Sequence, residues 1–528
     1  MEALSEALLE DMKAKGIDAS LTLSILEDYN AGLYDSVKPV EAIGVPAVDG
    51  HSVVSLADRA GRAGPAYSVP ARDVRERLGA LGLGFPPSAR EGESGETLFD
   101  AAALERIGAA LLGRTAFGVL NGGSATSYAD SKKNLAFGQG VFDALEPSYD
   151  MLAPLCRNEP KGLTPAYLEP DGAPGASFLA LKMRARLVAA LRAKERGEKV
   201  DDSFMPLFQM SSVSNDGRIA RAYEEYRGHP FIEPLARELG LDGAPWKTGV
   251  QPMIAAYTHS SEGRPKRVFD RARGIPDSAI ALPGGHGQCF RVLAPTLRAL
   301  RDSGARFAYI GNVDNLGYLP DPVEIAILAL SGLPAAFDFS LRTPMDVKGG
   351  ILVETAGDAR HGVRRTVADI GPAISFDEVE RLESEGASIL FNCAIGLFDL
   401  DWLVPRLDEI GRELPVRFTD QDKDAGRYSQ AEQVTWEVAG ILPAFLSFAV
   451  DKFDRFIAAK LLAETLLTSG AAMGDARIPS ELADTSRRLK RALERKLGGP
   501  YDLEIREGRW TARAPRRSEG LHALPSLR

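Results

Sequence analysis

Short apolar runs that pass directly into glycine-rich or acidic loops, and from there into helices, constrain this chain more than any other feature. TAFGVL (115–120) leads into Asn121-Gly122-Gly123. PLFQMSS (206–212) is followed by Asn215-Asp216-Gly217 and a helix with Ile219, Tyr223 and Tyr226 on one face. SAIAL (278–282) enters Pro283-Gly284-Gly285-His286-Gly287, and the next helix carries Leu293, Leu297 and Leu300. RFAYIGN (306–312) ends just before Asp314. Alternation of this kind predicts an α/β fold, with a mixed, mostly parallel sheet covered on both faces by helices. Ligands of such sheets bind at the carboxyl ends of strands, where these polar loops fall.

Outside that stretch the pattern changes. Residues 1–110 read as a helical N-terminal region with links rich in Pro and Gly, and 111–430 as the principal α/β domain. AAFDFSL, GGILVET, RRTVADI and SILFNCA (333–400) read as a more antiparallel flap. The spacing predicts a long helical region from about 430 to 470, a charged helix over 480–497, a β-hairpin from YDLEI and RWTARA, and a frayed or loosely docked end at 514–528. Together these make 431–528 a C-terminal helical region ending in a short hairpin.

The formal charge of -10 argues against a general nucleic-acid or anionic-membrane binder. No apolar run reaches the ~18 residues of a membrane span. MEALSEALLEDMKAKG lacks the basic start and apolar centre of a signal peptide, and three scattered cysteines make neither a disulfide framework nor a zinc site. A cytoplasmic enzyme fits. An acidic chain that handles a polyanion must place individual cations locally, so single lysines matter.

Gly122-Gly123 after a buried strand lets backbone amides approach an anion, or makes a structural turn. Gly284-Gly285-His286-Gly287 has the same two readings at a helix start. Neither loop is a dinucleotide fingerprint or a P-loop. Asp314 could hold Mg²⁺ beside phosphate oxygens, or cap a turn. Asp399 and Asp401 mimic a glycosyltransferase metal motif, but an apolar segment before them and Trp402 after them read as a helix start. Lys161 sits in a proline-stiffened loop, Lys348 precedes Gly349-Gly350, and Lys460 is placed on the long helix.

In their order these segments resemble the UDP-glucose pyrophosphorylase family of the large type, which also includes UDP-N-acetylhexosamine pyrophosphorylases. The matching pieces are LNGG (120–123) with Thr126, PKGLTP, PLFQMSS, PGGHGQ, GNVDNLG, DVKGG, LFN and RFIAAK, spread over residues 115 to 465. The resemblance implies a Rossmann-like sugar-nucleotidyltransferase domain that joins UTP to a sugar 1-phosphate, with Mg²⁺ as cofactor. Gly122, Gly123, Gln251, Gly285 and Asn312 would bind nucleotide, with Gln251 reading uracil. His286, Lys161 and Lys460 would serve the phosphates and Asp314 the metal. Lys348, Gly349, Gly350 and Asn392 would belong to the sugar side.

The departures from the family pattern are specific. Ser124-Ala125-Thr126 replaces Leu-Gly-Thr. An insertion over 124–159 brings Lys132 and Lys133 as rivals to Lys161. Ala394 replaces a second asparagine, and Arg364-Arg365-Thr366 stands where a sugar-binding glutamate is expected. Glucose 1-phosphate is the expected acceptor. A UDP-N-acetylhexosamine or broad UDP-sugar pyrophosphorylase, a glycosyltransferase and a non-catalytic UTP-binding protein stay open, as does the oligomeric state.

Overall fold

The computed structural model describes the chain except residues 1–3, 58–65, 93–94, 124, 126–127, 242–245, 344–345, 347–348, 358–361 and 514–528. The 514–528 end and Lys348 therefore lie outside the described residues. A ten-stranded sheet organises the rest. Its strands are β1 (Val53–Ser55), β2 (Thr115–Leu120), β3 (Leu207–Ser212), β4 (Trp246–Gln251), β5 (Phe307–Asn312), β6 (Ala335–Leu341), β7 (Gly350–Ala356), β8 (Val363–Asp369), β9 (Leu390–Asp399) and β10 (Leu446–Val450). The order is β1-β10-β6-β9-β5-β2-β3-β4, with β7 bridging β9 to β8. All neighbours on the main path are parallel except β9, which runs antiparallel to both β5 and β6. β7 and β8 extend β9 as the expected antiparallel flap.

β2 and β3 are buried at every position, because helices cover both faces of the sheet. One covering pair is the helix Ala101–Leu111 and the helix Pro322–Ser331. The latter is started by the Asp321 carboxylate, which accepts the amides of Val323 and Glu324, with Pro322 in its first turn. The two helices meet at Gly108, where a Cβ would fall 1.7 Å from the Pro322 carbonyl oxygen. A side chain there would push them apart. The N-terminal helices Glu6–Ala14 and Ala19–Asn30 build a separate small core with Ile254, Tyr257 and Val416.

Several expectations need correction. SAIAL is not a strand of the main sheet: only Ala281–Pro283 is extended, paired antiparallel with Met253–Ala255. The place beside β3 goes to β4, whose alternating exposure marks an edge strand that no apolar run announces. The predicted helical stretch from 430 to 470 is broken by β10, in which LSFAV is buried at all five positions and sits between β1 and β6. A run buried on both sides looks alike as helix or strand until its neighbours are known. Residues 1–110 likewise contribute β1 and a small sheet of Tyr67–Pro70, Arg90–Glu91 and Glu96–Phe99. Neither terminal stretch is helical throughout. Asp399 does begin a helix, accepting the amides of Asp401 and Trp402, and the helix Ser480–Gly498 and the hairpin of Leu503–Arg506 with Arg509–Ala512 follow as expected.

Arg455 is the most buried ion-pair centre of the molecule's interior. Its Nε donates to Asp338 Oδ2 on β6 at 2.8 Å and its Nη2 to Glu324 Oε2 at 2.8 Å, while Nη1 reaches the Leu319 carbonyl at 2.8 Å. Burial disfavours the charge, and the two carboxylates more than offset it, holding the guanidinium's pKa well above its ordinary value. Removing one member of such a network leaves buried charge uncompensated. Arg455→Leu is expected to lower the unfolding free energy by about 3–5 kcal/mol in urea titrations, and a loss under ~1 kcal/mol, as for an exposed pair, would show the network to be unimportant.

Candidate functional site

The carboxyl ends of β2, β3, β4 and β5 open on one edge of the sheet, and antiparallel β9 begins there. The first loop leaves β2 at Asn121, whose buried side chain donates to Gln209 Oε1 at 3.3 Å and accepts the Gly162 amide at 3.2 Å. Asn215 Nδ2 donates to the Gly122 carbonyl at 2.9 Å, and the Lys161 amide donates to the Gly123 carbonyl at 3.1 Å. Gly122-Gly123 and the Lys161 turn are thus one unit. Lys161 Nζ contacts the Asp314 carboxylate and lies 5.1 Å from the centre of the Tyr128 ring. Lys132 and Lys133 are solvent-exposed on the short helix Ser131–Asn134 and do not line the cleft.

The opposite wall is the Gly284–Gly287 loop. Gly285 has φ 84°, and a Cβ would sit 2.3 Å from the Gln433 carbonyl oxygen, so only glycine fits. Gln251, at the end of β4, donates Nε2 to the Gly285 carbonyl at 2.7 Å. The segment after the loop is a 3₁₀ turn and a four-residue helix, Cys289–Val292, before Ala294–Asp302. A long helix start is therefore absent here, and any anion contact comes from local amides. His286 Nδ1 lies 3.1 Å from the Thr435 amide, which donates to it, and 2.7 Å from the Thr435 hydroxyl. A ring nitrogen that accepts an amide hydrogen carries none, so the neutral ring holds its proton on Nε2. Burial, helped by the charge of Lys460, pushes the imidazole down to about 4.

Asn312 ends β5, and Asp314 follows, only 7% exposed. Asn315 clamps the turn: it donates to the Arg455 carbonyl at 2.9 Å and accepts the Ile457 amide at 3.0 Å. That contact carries the 455–460 segment alongside. Lys460 is not on a helix; it lies in the bend before Leu462–Ser469, because the helix begun at Lys452 ends at Arg455, whose side chain is pulled into the interior. The Lys460 and Leu461 amides bond the Glu464 carboxylate.

Two cavities meet here. The larger, about 380 Å³, is lined by Gly122, Gly123, Lys161, Gln251 and Gly285. The smaller, about 80 Å³, is lined by Gly349, Gly350, Asn392 and Lys460. His286, Asn312 and Asp314 line both. The structure thus gathers every sequence-predicted site residue that it describes. Asn392 Oδ1 accepts the Ala394 amide at 2.9 Å and so holds Ala394 at φ 54°, an uncommon conformation for alanine.

Sequence reading missed Asp369. Paired with Gly350 across β7 and β8, it lines the smaller cavity, where burial raises its carboxyl's pKa against the pull of Lys460 and Arg417. Arg364 and Arg365, read as standing in the place of a sugar-side carboxylate, instead donate to the carbonyls of Gly440, Ser52 and Phe445. The missing signal was register: aligning GGILVET against VRRTVAD sets Asp369 beside Gly350. Glu432, also missed, lines the larger cavity, and burial raises its pKa too.

Among the described residues no three His, Cys, Asp or Glu side chains gather as a metal cage. Mg²⁺ seldom needs one, since it is bound through one or two carboxylates with substrate phosphates and water. A nearly buried Asp314 at the junction of both cavities fits an ion that arrives with a triphosphate. Among the described residues no helix is long and apolar enough to cross a membrane.

A family model described as UTP--glucose-1-phosphate uridylyltransferase matches residues 269–389. A UTP--glucose-1-phosphate uridylyltransferase 2 from Dictyostelium discoideum is 26% identical over 114 residues, 20% of this chain and 23% of that protein. The enzyme of that name from Encephalitozoon cuniculi is 24% identical over 157 residues, 25% of this chain and 32% of the other. The matched segment thus spans a third or less of these curated relatives. Over more of the chain the fold is similar to a UDP-glucose phosphorylase from Trypanosoma brucei (TM-score 0.51, 19% identity, 87% of this chain and 77% of that one). It is also similar to a Leishmania major UDP-glucose pyrophosphorylase variant solved with UDP-glucose (TM-score 0.54, 15% identity, 88% and 79%). Residues 269–389, which match the model of the UTP--glucose-1-phosphate uridylyltransferases, span the glycine loop, β5 and the flap, and the fold that holds them is similar to that of solved UDP-glucose pyrophosphorylases.

Proposed function

We propose that the protein transfers a uridylyl group from UTP to a sugar 1-phosphate, releasing pyrophosphate, with glucose 1-phosphate as the favoured acceptor. The observation that carries this reading is the pair of cavities sharing His286, Asn312 and Asp314, with Lys161 at one end and Lys460 at the other. The larger cavity suits a nucleotide, held by the glycine backbones and read at its base by Gln251. The smaller suits a sugar, met by Asn392 and Asp369. Its walls include Trp436 and Phe456.

A phosphate oxygen of the sugar 1-phosphate attacks the α-phosphorus of UTP. The new bond forms as the bond from the α-phosphorus to the bridging oxygen breaks, and that oxygen leaves with pyrophosphate. The second pKa of a phosphate monoester is near 6, so the nucleophile is ionised at neutral pH without a general base. Bringing two anions together is the difficulty, and positioned charge answers it. Mg²⁺ carried by UTP would take Asp314 as its protein ligand and draw charge from the phosphates. Lys161, released from Asp314, would turn to the triphosphate, and Lys460 to the incoming phosphate. His286, neutral and protonated on Nε2, would donate a hydrogen bond at the junction.

Pyrophosphate release across nucleoside triphosphates and sugar 1-phosphates, with and without Mg²⁺, tests the reading. UTP with glucose 1-phosphate is expected to be the fastest pair, and UTP binding without turnover of any sugar would replace the enzyme by a binding protein. Lys460→Ala and Asp314→Asn are each expected to lower kcat by ~10²–10³ with little change in melting temperature, and full activity in either removes that residue from the chemistry. For His286, ¹⁵N spectra are expected to show a neutral Nε2–H ring from pH 8 down to about 5. The neutral form is favoured in the fold, so stability is complete above the ordinary value of 6.5 and falls as the pH drops toward about 4. Titration of His286 near 6.5 would overturn the assignment.

A further inference from the structure

Beneath the Asp314 turn lies a lysine that touches neither cavity. Lys182, on the helix Phe178–Glu195, is fully buried. Its Nζ donates to the carbonyls of Asn315 and Tyr318 at 2.6 Å each and lies 4.9 Å from the centre of the Tyr318 ring. Among the described residues no carboxylate contacts it; burial pushes its pKa well below the ordinary value, opposed by the charge of Asp314 and reinforced by Arg455 and Lys496. Keeping an ammonium group in such a place is costly, and its hydrogen bonds are spent wholly on the turn that presents Asp314.

The rest of that turn is pinned from other sides. The Tyr318 hydroxyl bonds the Gly118 carbonyl of β2, and Asn315 bonds the backbone of Arg455 and Ile457. Lys182 thus holds the underside of an element that fixes Asp314 directly and, through Asn315, the segment leading to Lys460. We propose that Lys182 is a positioning residue for the uridylyl transfer, setting the depth at which Asp314 and the Lys460 segment meet the phosphates without touching substrate.

This inference rests on the function proposed above, and Arg186 supplies a control. One turn along the same helix and equally buried, it donates to the carbonyls of Phe204 and Asp202, away from the cleft. Losing either cation should destabilise the fold. Only the loss of Lys182 should loosen the turn. With UTP and glucose 1-phosphate, measured below the melting temperature of each variant, Lys182→Met is expected to lower kcat by ~10- to 100-fold, the scale of an ångström misplacement. Its KM for glucose 1-phosphate should stay close to that of the wild type, and Arg186→Met should keep kcat. Lys182→Gln, which retains a donor on a shorter side chain, should fall between and serves if the Met variant does not fold.

Hydrogen exchange of the 313–318 amides in ligand-free protein gives a readout that needs no turnover. It is expected to accelerate in the Lys182 variants and not in Arg186→Met. Equal kcat losses in the two Met variants, or unchanged exchange at the turn, would reduce Lys182 to a purely structural role. An inactive wild type would sink the uridylyl reading alone, leaving exchange to decide on Lys182.

Discussion

A guanidinium group with no access to water holds the working edge of this protein together. Arg455 comes from the segment that leaves β10, yet its side chain ends between Asp338 of β6, Glu324 of the Pro322–Ser331 helix and the carbonyls after β5. Charges buried in this way are tolerated only in near-ideal geometry. Four pieces of chain are therefore fixed at one point, and Lys460, five residues on, inherits the placement. Gly317 packs so closely on this segment that an added Cβ would lie 2.5 Å from the Arg455 carbonyl carbon. Distance in sequence between Asp314 and Lys460 is thus cancelled by one buried ion-pair network and one buried asparagine, Asn315.

On that frame the cleft solves an electrostatic problem. The chain is acidic overall, at -10, so attraction of any anion to this cleft cannot come from net charge and must come from a few cations in a low-dielectric recess. Lys161 and Asp314 neutralise one another across the mouth when no ligand is bound. Deeper in, Asp369 sits under the field of Lys460 and Arg417, which draw its carboxyl toward the charged state while burial opposes them. His286 stays neutral chiefly because it is buried, with Lys460 nearby adding to the cost of a second cation, and a neutral ring can still donate a hydrogen bond.

Physical features that speak for themselves were legible in the sequence, and relationships were not. TAFGVL and FAYIGN read correctly because a strand buried on both faces has to be uninterruptedly apolar. The turn at Gly285 was legible because a close backbone approach there leaves no other residue type. β4 was illegible because an edge strand keeps polar residues on its open side, and β10 because LSFAV, apolar but for one serine, fits a helix equally well. Asp369 depended on which residue of β8 faces Gly350, a matter of register that no local pattern encodes. Lys182 was hidden by the ordinary expectation that a helical lysine faces water; in LALKMRARL the cations at 182, 184 and 186 all turn inward to backbone carbonyls.

Much of the cleft is main chain. Gly122, Gly123, Gly285, Gly349 and Gly350 offer only backbone to a ligand, and Lys182, Arg184 and Asn315 are spent on holding carbonyls. Recognition by amides asks for little beyond glycine where a Cβ would collide and a scaffold rigid enough to keep the loops in place. Side chains elsewhere are then free to differ provided the sheet stays buried. That is why the motifs are short and separated by long unremarkable stretches, and why the chemistry-bearing side chains number so few. Few side chains reach the smaller cavity, Asn392, Asp369 and Trp436 among them, and these set the chemistry that it can offer a ligand.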